Sequence, residues 1–121
     1  MEKNFLEIFL NDLKNYCKAN PDTINQTITL EFEGGDGDHC EDIYYPNCFD
    51  AFFEMYDIYN DNILFKIVDS LIDFEYRWEN GGLGEIFITP IKKENEIYIL
   101  VKIRAQERVV DYIPNNETKE F

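Results

Sequence analysis

A chain of 121 residues suits one domain spanning 1–121, and its 45% hydrophobic and 16% aromatic content supplies a core, which excludes global disorder. Eleven Lys and Arg stand against 25 Asp and Glu, for a formal net charge of -14. A surplus of that sign repels phosphate backbones and anionic headgroups, so it argues against direct nucleic-acid binding and membrane association and favours a basic protein partner.

In chain order, the spacing predicts a helix over residues 3–18, where Phe5, Leu6, Phe9, Leu10, Leu13, Tyr16 and Cys17 form one apolar stripe. Asn20-Pro21-Asp22 ends it, because proline lacks an amide donor and restrains the residue before it. From Gln26 to Glu33 the period becomes two, with Ile28, Leu30 and Phe32 opposite Thr27, Thr29, Glu31 and Glu33, as in a half-buried strand. Gly34 to Asp38 is a turn, and Ile43-Tyr44-Tyr45 returns as a short strand before Pro46.

Helix returns from Phe49 to about Tyr76, and the poor formers Asn60-Asp61-Asn62 split it in two, with Asp61 or Asn62 as a cap. After the Asn80–Gly84 break, Glu85 to Ile91 alternates, and Pro90 marks it as an edge strand or ends it early. Lys92 to Asn95 connects to a clear strand, Ile97 to Arg104; Val109 to Ile113 extends the sheet, and the polar tail 114–121 is expected to fray. The order helix-strand-strand-helix-strand-strand predicts an α+β fold, a mostly antiparallel sheet of four or five strands with helices on one face.

No run approaches the roughly 20 apolar residues that span a bilayer. The first ten residues carry charge within their apolar stretch, so a signal peptide is not expected and a cytoplasmic location is. Three cysteines, Cys17, Cys40 and Cys48, cannot all pair within one chain, which points to reduced thiols.

The charge is gathered rather than spread. Between Lys18 and Lys66 there is no Lys or Arg, while Glu31, Glu33, Asp36, Asp38, Glu41, Asp42, Asp50, Glu54 and Asp57 all fall there. A block of one sign builds a local field that draws a basic surface and raises its on-rate. Asp50, Glu54, Asp57 and Asp61 recur at helical spacing and stack along one helix face, a row that imitates nucleic-acid phosphates or simply solvates the helix. These carboxylates, with Tyr44, Tyr45, Tyr56 or Tyr59 as aromatic anchors, are the expected partner-binding residues.

Catalytic apparatus is thin: the one histidine, His39, lies in a turn, and no nucleophile elbow, phosphate loop or His-Glu-x-x-His occurs. Asp36 and Asp38, joined by Glu79 and Asn80 if the two glycine turns meet, form the alternative, a metal-binding or metal-dependent site. No cofactor is expected under the leading reading. His39, Cys40 and Cys48 are zinc-capable types without the usual paired spacing.

Phe32 to Ile43 and Trp78 to Ile88, a glycine- and Asp-bearing turn followed by a Trp-Glu-Asn-x-x-Gly-like turn, resemble a small bacterial and phage domain family. That resemblance implies a single domain and no particular activity. The expectation is an acidic inhibitor that occupies a basic, nucleic-acid-handling surface, of the immunity-protein or anti-CRISPR type, its partner a nuclease or CRISPR effector. A homodimer paired through Glu96–Arg104 is a third reading.

Overall fold

The computed structural model describes residues 2–56, 62–72, 74, 76, 81–108 and 112–121. Helix α1 (Glu2–Ala19) buries Phe9, Leu10, Leu13 and Cys17 and leaves Asn11, Asp12, Asn15 and Lys18 exposed, as the helical period of its apolar residues requires. Strands β1 (Ile28–Gly35) and β2 (Asp38–Tyr44) form a hairpin, followed by helices α2 (Asp50–Tyr56) and α3 (Ile63–Leu71). A second hairpin, β3 (Gly82–Lys93) and β4 (Glu96–Arg108), precedes the short strands β5 (Tyr112–Pro114) and β6 (Glu117–Glu120).

The strands lie in the order β2-β1-β3-β4, and β5 and β6 both run along the far edge of β4. Every pairing is antiparallel, and the three helices share the core with one face of the sheet, giving an α+β architecture. The sheet contributes Ile28, Leu30, Phe32, Ile86, Ile88, Ile99, Val101 and Ile103 to that core. From the helices, Phe9 meets Phe52 edge-on at 5.8 Å and Tyr56 at 5.4 Å, while Phe52 and Phe53 lie 5.1 Å apart.

Both hairpins close on two-residue turns with positive φ at each central residue, Asp36 (54°) and Gly37 (89°) in the first, Glu94 (50°) and Asn95 (69°) in the second. That backbone matches the right-handed twist of the flanking strands. The first turn is thus shorter than the sequence suggests, and β2 begins at Asp38 rather than Ile43.

Pro90 lies inside the sheet instead of on its edge. It sits opposite Ile99 in the β3–β4 ladder. Counting from the closing pair Lys93↔Glu96, Pro90 falls where the backbone nitrogen points away from β4, so its missing donor breaks no bond there. On its other side β1 pairs only as far as Ile28↔Ile88, and the Pro90 carbonyl accepts from the Asn25 amide at 2.8 Å.

Three further expectations change. The last helix stops at Leu71, with Ile72 already extended, and Asn62 takes the N-cap position in a left-handed conformation without a side-chain bond; Asp61 lies outside the described residues. The tail expected to fray instead forms β6, and Phe121 exchanges two backbone hydrogen bonds with Ile99 (2.7 and 2.8 Å). Its partly buried ring packs against the core, which supplies an anchor that polar composition conceals. β6 covers Leu100 to Ile103 and Phe121 bonds Ile99, so of the strand Glu96–Arg104 expected to pair across a dimer, the part from Glu96 to Tyr98 is paired with β3 alone among the described residues.

One consequence concerns alkaline stability. Burial, and donation of its hydroxyl proton to Asp12 (2.6 Å), raise the Tyr56 pKa above its ordinary value of 10.0. The unfolded chain therefore releases this proton first, so the stabilisation is present below pH about 10 and is lost as pH rises toward the folded value. Tyr56→Phe should flatten the alkaline fall of the urea midpoint; an unchanged slope would remove Tyr56 from that fall.

Candidate functional site

The face of the sheet opposite the helices is uncovered among the described residues, and it collects much of the acidic block. Alternation along β1 turns Ile28, Leu30 and Phe32 into the core, so Thr29, Glu31 and Glu33 point the other way. In β2 the same alternation places Asp38, Cys40, Asp42 and Tyr44 on the outer face. Register then aligns the strands: Glu31 stands opposite Asp42 on one side and Glu85 on the other. Glu85 in turn faces Arg104. The result is a row across four strands, Asp42-Glu31-Glu85-Arg104, three carboxylates ending at one guanidinium.

Side chains of like charge placed directly across a ladder destabilise it, by about 0.2–1 kcal/mol per pair. The row contains two such pairs. Their field registers on Tyr44, exposed beside them, whose phenol pKa is raised by the charges of Glu31 and then Asp42. A shallow depression of about 730 Å³ runs along this face, with Glu31, Glu33, Asp42 and Glu85 on one side and Arg104 and Gln106 on the other. Leu83 lines it with half-buried apolar surface, and Arg104 lies 5.9 Å from the ring centre of half-buried Phe87 on the same face.

The continuous acidic surface expected from the sequence is divided. Glu31, Glu33, Asp38 and Asp42 share the outer face, and Asp36 sits at the turn beside them. Glu41 does not: its side chain is only 8% exposed, on the helix side of β2. There it accepts from the Tyr76 hydroxyl at 2.8 Å and bonds His39 Nδ1 at 2.7 Å. Asp50 and Glu54 are exposed on α2, in the helix layer on the opposite side of the molecule. Tyr45 is half-buried against Phe53 (4.5 Å between ring centres), which leaves Tyr44 as the outward aromatic of the two. Asp57 and Tyr59 lie outside the described residues.

The basic residues of the late strands do not neutralise the face as a group. Lys93 pairs with Glu120 at 2.5 Å, and Lys119 contacts Glu117 at 3.6 Å and the Leu71 carbonyl at 3.3 Å. Arg104 borders the acidic row, with Lys102 beyond it on β4.

For the metal alternative, Asp36 and Asp38 flank the hairpin turn, while Glu79 and Asn80 lie outside the described residues. Among the described residues no group of three or more His, Cys, Asp or Glu is placed to hold a metal ion. His39 and Cys40 occupy opposite faces of β2, so they form neither a dyad nor a pair of zinc ligands. Cys48 sits apart, its carbonyl accepting from the Tyr16 hydroxyl at 2.7 Å.

No family model, curated protein or solved structure matches this chain. Among the described residues no helix is long and apolar enough to cross a membrane.

The sequence reading missed Glu85 and Arg104. Glu85 had a signal, since it alternates with Ile86 and Ile88, but its place beside Glu31 depends on how two strands far apart in the chain align.

Proposed function

We propose that this protein is an acidic inhibitor that binds a basic, nucleic-acid-handling surface of a protein partner, in the manner of an immunity or anti-CRISPR protein. The observation that carries this reading is the Asp42-Glu31-Glu85 row on an uncovered sheet face. Two like-charge pairs destabilise the fold, and selection for stability alone favours Thr or Lys at the middle position. A row kept at that cost fits a role in binding, where opposed charge on a partner relieves the repulsion and steers encounter.

The test couples stability to capture. Glu31→Lys should raise folding stability by about 0.5–1 kcal/mol, because it converts two repulsive cross-strand pairs into attractive ones. The same substitution combined with Asp42→Lys should abolish recovery of a basic partner, a nuclease or CRISPR effector, that the unaltered protein draws from its native host. If the double variant still captures the same partner, the acidic face is not the interface.

A further inference from the structure

β2 is an outer strand of the sheet, and among the described residues no strand pairs with its far side and no backbone hydrogen bond reaches it. The turn fixes which of its groups are free. In a two-residue hairpin the closing pair, here Gly35↔Asp38, is hydrogen-bonded, and bonded and non-bonded pairs alternate from there. Asp38, Cys40, Asp42 and Tyr44 therefore spend their amide groups on β1, while His39, Glu41 and Ile43 direct theirs outward.

The side chains follow the same two-residue rhythm. Asp38 and Asp42 stand exposed on the outer face, with Glu31 behind Asp42, whereas His39, Glu41 and Ile43 face α3. From this coincidence of open backbone and carboxylates confined to the outer face we infer that the partner docks by adding an extended strand to β2, with its Lys or Arg side chains on the outer face, over Asp38 and Asp42, and uncharged residues on the other, beside α3. Main-chain bonds to His39, Glu41 and Ile43 supply affinity, and the alternation supplies specificity. A second copy of this chain is a poor occupant, because edge-to-edge pairing of two β2 strands sets the Asp38 and Asp42 of both copies on one face. The inference rests on the acidic-inhibitor reading for the sign of the partner and adds to it the mode of contact.

The test uses the intact protein and two synthetic peptides matching β2 in length and identical in composition. In one, lysine alternates with threonine; in the other, the lysines form a single block. The alternating peptide should bind about tenfold tighter or better, since only it combines matched charge with several added main-chain bonds. Its binding should slow amide hydrogen exchange at His39, Glu41 and Ile43 and leave Cys40 and Asp42 unchanged. Equal binding of both peptides without that every-second-residue protection overturns strand addition while the acidic-surface reading stands. Failure of both peptides to bind at low salt overturns both readings, and the charges on β2 are then a guard against edge-to-edge aggregation.

Discussion

Replacing Gly81 with alanine should destabilise the fold by about 3 kcal/mol or more, the joint effect of left-handed strain and a backbone clash. Gly81 has φ of 70°, and a Cβ built there lies 1.8 Å from the Gly34 carbonyl oxygen and 2.7 Å from the Gly35 Cα. Neither obstacle is the movable end of a side chain. The close approach occurs where the chain enters β3 against the end of β1, the seam that joins the two hairpins. The substitution therefore forces apart strands that position Glu31 beside Glu85. Urea denaturation measures the loss directly, and an unchanged midpoint would show that the seam yields without strain.

Glu41→Ala should cost about 2–3 kcal/mol, because a buried polar group that loses its partner keeps the penalty of leaving water. Glu41 Oε2 receives the Tyr76 hydroxyl and contacts His39 Nδ1, with Tyr76 fully buried. Glu41→Gln retains a carbonyl oxygen of similar reach and should recover most of the stability. The two variants separate a structural carboxylate from a docking one: neither should weaken a partner held on the outer face, provided binding is measured where both remain folded. Loss of capture in the folded Gln variant would place the Glu41 side chain in the interface after all.

These cases show which parts of the molecule can be read from a single chain. Helix α1 and strands β1 and β4 were legible because each buries one apolar set at a fixed period against polar neighbours. β2 was not, because both of its faces are polar. Outward Asp38, Cys40 and Asp42 alternate with inward His39 and Glu41, so hydropathy carries no rhythm there. Glu41 is satisfied by Tyr76, a partner 35 residues away that local patterning cannot supply. Pro90 misled for a related reason: proline excludes itself only from positions whose nitrogen must donate, and that is decided by pairing phase and by where β1 ends. The acidic row needed two such registers at once, Glu31 with Asp42 across a tight turn and Glu31 with Glu85 across nearly half of the chain. The first follows from the hairpin; the second follows only from the assembled sheet.

The position of the single histidine has a practical result. His39 belongs to the outer strand, and its ring centre lies 4.8 Å from that of Phe65 on α3, so its imidazole protons sit in the ring current of a neighbouring element. With no second imidazole in the chain, any imidazole line in a proton spectrum belongs to this ring. The molecule thus carries its own unlabelled gauge of whether that strand and that helix remain in contact when anything settles alongside them.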